Sequence, residues 1–174
     1  MAAHVERLLE DFRVISLGLD RAITMVGEAD HKVESSINAA ARGGYLGVVA
    51  RLRAAQEGIR RVRGMLGATH GAVGSATEPI TRTSKEPSAA EIVGVLTPAS
   101  ERVDSIRNDI GAARAQLPEI IGQIAAAANE NPAIGILGTL GQQILGILLD
   151  RAATTKQNID AAIGDARRAQ SGEA

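Results

Sequence analysis

The stretch LLEDFRVISLGLDRAITMVGEADHKV, residues 8–33, decides the fold class of this chain. Its apolar side chains recur at alternating steps of four and three residues, which is the heptad spacing of a long helix packed lengthwise against a partner. The stretch therefore predicts an all-α protein built from long helices. The positions of this apolar seam are Leu8, Phe12, Ile15, Leu19, Ala22, Val26, Ala29 and Val33.

The composition of the 174 residues agrees with closely packed helices. Hydrophobic residues make up 45% and aromatic residues only 1%, so the core must consist mainly of Ala, Ile, Leu and Val. A formal net charge of -1 argues against a nucleic-acid-binding protein, and the lack of cysteine excludes disulfides and cysteine metal sites. Because the N-terminus carries no apolar signal-peptide segment, we expect a cytoplasmic protein, or one secreted without a cleaved signal peptide.

Three further segments repeat the heptad spacing. Gly43 and Gly44 end the first segment, and the stretch NENP ends the third, so short turns separate long helices. Helices joined by short turns are antiparallel neighbours. The further seams cover residues 45–73, 96–127 and 134–166.

Four long helices in two antiparallel hairpins follow from these seams, in an elongated, coiled-coil-like helical bundle. We predict an N-terminal hairpin over residues 1–73, a flexible Ser/Thr/Pro linker over 74–88, and a C-terminal hairpin over 89–170. Pro98 is expected in the first turn of the third helix, and Pro118 is expected to kink that helix. The sequence leaves open whether the hairpins pack side by side or end to end.

Charge separates the first two helices. Residues 1–41 carry seven acids and four bases, whereas residues 42–73 carry six arginines and one glutamate. This difference favours antiparallel pairing of these two helices, with an acidic protein partner as the alternative for the arginines. The basic stripe consists of Arg51, Arg53, Arg60, Arg61 and Arg63.

No residue pattern predicts catalysis or a cofactor. The histidines lack metal-ligand spacing, the carboxylates are spread along polar faces, and no serine lies in a nucleophile motif. We therefore expect no catalytic, cofactor-binding or metal-binding residue and no enzyme activity. The three histidines are His4, His31 and His70.

Glycines are unusually frequent in two segments. In the second helix their spacing of three and four residues places them on one face, which we interpret as a site of close helix approach. In the fourth helix they interrupt a run of 17 uncharged residues, 133–149, which we expect to be buried in the bundle or in an oligomer. Membrane insertion of that run is the alternative. The glycines of the second helix are Gly64, Gly67, Gly71 and Gly74.

Tyr45, Leu46 and Gly47 follow the first long helix, directly after the glycine pair. Residues 1–73 with this Tyr-Leu-Gly turn resemble the WXG family of helical-hairpin proteins, which is associated with type VII (ESX) secretion in actinobacteria and firmicutes. That resemblance implies helical dimerisation, or pairing with a larger secreted effector or toxin.

We therefore expect a non-enzymatic interaction protein that forms a dimer or higher oligomer through its apolar seams and through the turn that joins its first two helices. The same residues are alternatively internal core, with the tyrosine plugging the open end of the hairpin. A membrane-active protein and a purely structural homo-oligomeric bundle are the other hypotheses. The expected contact residues are Tyr45, Leu46, Gly47, Phe12, Leu19, Leu52 and Ile59.

Overall fold

The computed structural model describes residues 2–83 and 87–172. These two ranges are almost entirely helical and contain no strand, which confirms the predicted all-α class. The fourth long helix runs without a break from Pro132 to Ser171 and contains a π-helical turn. The elements are α1 (Ala2–Arg42), α2 (Leu46–Thr81), α3 (Ala89–Ala127), and a fourth helix made of α4 (Pro132–Thr139), the π-helical turn (Leu140–Ile144) and α5 (Leu145–Ser171).

The helices form a closed four-helix bundle. Helix α1 packs on α2, α2 on α3, and α3 on α5, while α4 and α5 return to α1. Because successive helices are joined by short connections, they alternate in direction around the bundle. The two hairpins therefore lie side by side, which decides the alternative that the sequence left open.

The seam of α1 is buried as predicted. Its eight positions, from Leu8 to Val33, are at most 1% exposed and face the centre of the bundle. The seam of α2 is likewise buried from Leu52 onward, but its first expected member, Tyr45, lies on the surface. Phe12 is thus the one aromatic side chain in an aliphatic core.

Helix α2 is longer than the sequence analysis predicted. Its seam continues through Ala76 and Ile80, which are both buried, at the same steps of three and four residues. The predicted flexible linker over 74–88 is therefore wrong over 74–81, which is helical. Residues 84–86, in the middle of the remaining connection, lie outside the described ranges.

Pro79 lies in the last turn of α2. It has no N–H group and so cannot donate to the Ser75 carbonyl four residues earlier. The Arg102 guanidinium of α3 donates a hydrogen bond to that carbonyl instead. This contact from the neighbouring helix replaces the bond that the proline removes, and the helix continues past it.

Helix α3 begins at Ala89, the predicted start of the C-terminal hairpin and seven residues before the predicted seam. The Ser88 hydroxyl accepts a hydrogen bond from the Glu91 N–H at 3.2 Å, which caps the first turn. Pro98 therefore lies in the helix interior, and its predicted position in the first turn is wrong. Both Pro98 and Pro118 are on the exposed face of α3.

The π-helical turn corrects the register of the fourth helix. Buried apolar side chains at Ala133, Leu137 and Leu140 follow heptad steps, but the next one, Leu145, comes five residues later, with only the buried glycine Gly141 between them. A π-turn accommodates one extra residue through an i→i+5 bond. Here the Leu145 N–H donates to the Leu140 carbonyl. Regular steps of three and four then resume, beginning at Leu148.

Candidate functional site

Tyr45, Leu46 and Gly47, which we call the hairpin tip, lie at the turn between α1 and α2. Gly44 adopts a positive φ of 73°, which is accessible to glycine without steric cost. The tip follows immediately, with Tyr45 65% exposed and Leu46 77% exposed. Two large apolar side chains are therefore presented side by side at one end of the bundle.

The Tyr45 ring does not plug the end of the bundle, so that interpretation is wrong. It lies instead against Gly43, because a Cβ atom built on Gly43 would be only 2.5 Å from the tyrosine Cε2. The backbone supports this position, since the Tyr45 N–H donates to the Ala40 carbonyl at 2.9 Å. The ring is thus held over the turn with its outer face open to solvent.

The other expected contact residues belong to the core of the chain itself. Phe12, Leu19, Leu52 and Ile59 are each at most 1% exposed and face the second hairpin or each other within the bundle. This is the alternative that the sequence analysis kept for them. Only the hairpin tip is free on the surface among the seven expected residues.

Two of the five arginines in the basic stripe of α2 have a partner among the described residues, and one of those partners is a carboxylate. Arg60 lies 3.6 Å from Asp30 of α1, and the Arg51 guanidinium donates to the Ala126 carbonyl of α3 at 3.2 Å. For the remaining three arginines no hydrogen bond or ion pair joins the side chain to another described residue. Those three are Arg53, Arg61 and Arg63.

The glycine face of α2 does not mark close helix approach, contrary to expectation. At each of its four glycines, from Gly64 to Gly74, an added Cβ atom would meet no atom of a neighbouring helix within 4 Å. Close approach occurs elsewhere: an added Cβ would lie 2.5 Å from Leu148 at Gly18 and 2.7 Å from Ile120 at Gly58.

Ser16, His70 and Asp20 meet between α1 and α2, which the sequence analysis did not foresee. Both the Ser16 hydroxyl, at 2.9 Å, and the Asp20 carboxylate, at 3.2 Å, lie against the same imidazole nitrogen, Nε2. A catalytic triad places the carboxylate on the opposite nitrogen. This cluster therefore joins two helices and lacks the geometry of an activated serine.

A second polar cluster joins α3 to α5, and the sequence analysis also missed it. The Lys156 ammonium donates to the Ser100 hydroxyl at 2.6 Å and lies 3.2 Å from Asp104 and 3.4 Å from Asp160. The Ser100 hydroxyl in turn donates to Asp160 at 2.7 Å. Ser100 and Lys156 are 56 residues apart, so only the register of the two helices brings them together.

The charge state of Lys156 argues against catalysis at this cluster. Partial burial lowers the pKa of Lys156, but hydrogen bonds and attraction from Asp104 and Asp160 outweigh it, so the pKa is raised above the ordinary 10.5. A lysine accepts a proton from a serine only when it is neutral. The cluster therefore consists of the ion pairs of a charged Lys156 with Asp104 and Asp160, and the Ser100 hydroxyl joins them by hydrogen bonds.

Asp11 of α1, a carboxylate that is only 5% exposed, is the centre of a third polar cluster. Arg151 of α5 lies 3.3 Å from one carboxylate oxygen, and the Asn158 amide donates to the other at 3.0 Å. Within the described ranges, no group of three or more His, Asp or Glu side chains is arranged to hold a metal ion. The buried charges thus fix how α5 docks on its neighbours.

The apolar run 133–149 contributes its inner face to the core and its outer face to the surface. Ala133, Leu137 and Leu145 are buried, whereas Gln142 and Ile147 are exposed. By length and composition alone, the helix Pro132–Ser171 is the one helix in the described ranges that could cross a membrane; one-third of its most apolar window is buried in the bundle.

The comparisons with known proteins concern the second hairpin. Over residues 87–171 the chain is similar to a family of unknown function, DUF6244. This range covers α3 and the whole fourth helix and leaves out α1 and α2. No curated protein and no solved structure matches the chain. The second hairpin therefore has related sequences, but the similarity assigns no function to it.

Proposed function

We propose that this protein is a non-enzymatic helical interaction protein of a type VII secretion system, and that it binds a secreted effector or toxin through the hairpin tip. The observation that carries this proposal is the joint exposure of Tyr45 and Leu46. Tyrosine is enriched among the residues that dominate binding at protein interfaces. The Tyr-Leu-Gly turn is also the part of the chain that resembles the WXG family.

The closed bundle supports the tip, rather than the seams, as the contact surface. Both hairpins bury their seams against each other, so a partner reaches them only if the bundle opens. At Ser16 the Asp20 carboxylate lies on the same imidazole nitrogen as the serine, and at Ser100 the neighbouring Lys156 is charged, which favours binding over catalysis. The tip needs no rearrangement to bind.

Co-purification tests this proposal most directly. The chain is co-expressed with the effector or toxin whose gene adjoins its own, and complex formation is measured by size-exclusion chromatography with light scattering. Tyr45→Ala with Leu46→Ala should abolish the complex and leave the helical content unchanged. Ile147→Ala removes a side chain that is 64% exposed on another helix, and it serves as the matched control.

Secretion provides the second arm of the test. Export of the chain with its effector should stop when the type VII secretion ATPase is deleted. A complex that survives the double tip substitution, or export that continues without the ATPase, would contradict the proposal.

A membrane-active protein is the second candidate function, and the apolar length of the helix Pro132–Ser171 favours it. Insertion would require the bundle to open, because Leu137, Leu140 and Leu145 lie in the core. Flotation with anionic liposomes distinguishes the two functions: a chain that stays with the aqueous fraction at neutral and acidic pH is not membrane-active.

A further inference from the structure

Two helical irregularities face each other across one side of the bundle: Pro118 in α3 and the π-helical turn in the fourth helix. A groove of about 200 Å³ opens between them. Pro118 and Ile121 supply its accessible apolar surface, and Leu117 and Leu137, which are at most 2% exposed, form a buried aliphatic base. The backbone at Gly141 closes the floor from behind, where an added Cβ atom would lie 2.9 Å from the Leu117 Cδ1.

The rim of this groove carries one charge. Arg114 is its only charged lining residue, and it forms no ion pair with any residue in the described ranges. The facing run 133–149 supplies no charge. A permanent cation thus stands unpaired beside an apolar floor.

We propose that the groove binds a single-chain anionic amphiphile in its monomeric form, with a carboxylate at Arg114 and the adjoining alkyl chain on the aliphatic floor. An arginine guanidinium pairs with a carboxylate through two parallel hydrogen bonds, and an apolar floor selects an alkyl chain. The small volume suits a single chain. Helical π-turns are frequent at functional sites, and this one forms a wall of the groove.

Titration with dodecanoate below its micellar concentration tests the proposal, with binding followed by two-dimensional NMR of the labelled full chain. Saturable binding should shift the signals of Leu117, Ile121 and Leu137. Dodecanol should bind roughly two- to fivefold more weakly, which is the effect of one partly exposed charge pair. Dodecyltrimethylammonium should bind most weakly. If dodecanoate does not saturate, or if the cationic analogue binds as tightly, the groove has a different role.

Two pairs of variants localise the site. Gly138→Leu places a side chain in the groove, and Gly135→Leu places one outside it; an added Cβ meets no atom within 4 Å at either position. Gly138→Leu should weaken dodecanoate binding by roughly tenfold or more, because the floor is covered. Arg114→Gln should weaken it by the same factor as the change from dodecanoate to dodecanol, with Arg107→Gln as the matched control. Equal affinities within each pair would overturn the proposal.

Two further measurements on the same protein ask whether the ligand is a free amphiphile or a membrane lipid, and whether its binding is independent of the hairpin tip. Binding to phosphatidylglycerol vesicles without binding to monomeric dodecanoate would overturn the proposal in favour of a membrane surface. Tyr45→Ala with Leu46→Ala should leave dodecanoate affinity unchanged. A loss of ligand binding at the groove is thereby distinguished from a loss of partner binding at the tip.

Discussion

Phe12 and Tyr45 are the two aromatic residues of the chain, and their environments are opposite. Phe12 is 1% exposed in the aliphatic core, whereas Tyr45 is 65% exposed at the hairpin tip. The heptad spacing predicts burial for both, and it fails at Tyr45 because this residue is the N-cap of α2. Its ring lies over the turn against Gly43 and does not enter the bundle.

Alanine substitutions separate these two environments. Tyr45→Ala should change the free energy of unfolding by less than about 0.5 kcal/mol, as expected for an exposed site. Phe12→Ala should lower it by about 3–5 kcal/mol, because it leaves a cavity in the core. Urea unfolding followed by far-ultraviolet circular dichroism measures both. A large loss for Tyr45→Ala would restore the idea that the ring supports the end of the bundle.

Lys156 gives the fold a dependence on alkaline pH. Its folded-state pKa is raised above 10.5, so its ion pairs stabilise the fold fully below that pH and lose this effect as the pH rises through the folded-state pKa. Wild type should therefore be more stable than Lys156→Met at neutral pH, with the difference shrinking above about pH 10.5. Urea unfolding across this range checks the trend. Lys32→Met, at an exposed position on α1, should show no such convergence.

At the scale of the element, periodic seams made the four helices predictable, while their ends and register were not. The Ser, Thr and Pro residues of 74–88 concealed the steps of three and four that carry α2 on through Ala76 and Ile80. The Ser100–Lys156 contact was invisible for a different reason. It depends on how far one helix slides along another, which no local pattern records.

The π-turn makes a sharp prediction about chain length. Deleting exposed Gln143 converts the five-residue step from Leu140 to Leu145 into a regular step of four. The fold should tolerate this deletion, with the free energy of unfolding changed by about 1 kcal/mol or less, because core positions on both sides keep their register. Deleting exposed Gln157 should instead rotate the rest of α5 by about 100° and destabilise the chain strongly. Thermal unfolding of the two deletions decides between these outcomes.

At the scale of the molecule, each hairpin completes the core of the other. The sequence predicted both hairpins but not their side-by-side packing, because a heptad seam specifies that a helix has a partner without specifying which one. The similarity to DUF6244 covers residues 87–171, which contain α3 and the fourth helix, and so concerns only the second hairpin.

Separating the hairpins should convert the internal core into an intermolecular one. A fragment of residues 87–172 exposes the faces of α3 and the fourth helix that pack on α1 and α2. At the same molar concentration, we expect this fragment to form larger assemblies than the full chain does, as measured by sedimentation velocity. A fragment of residues 2–83 provides the matched comparison. A monomeric fragment with cooperative unfolding would show that one hairpin has a sufficient core.

The chain has no tryptophan, and its one tyrosine stands at the hairpin tip. Apart from the weak absorption of Phe12, its intrinsic near-ultraviolet signal therefore arises at a single surface point. Because the ring is already 65% exposed in the folded bundle, global unfolding changes its solvent contact much less than that of a core side chain, so tyrosine emission is a poor monitor of denaturation. The same emission should change when another molecule covers the tip, so intrinsic tyrosine fluorescence can report binding at this site.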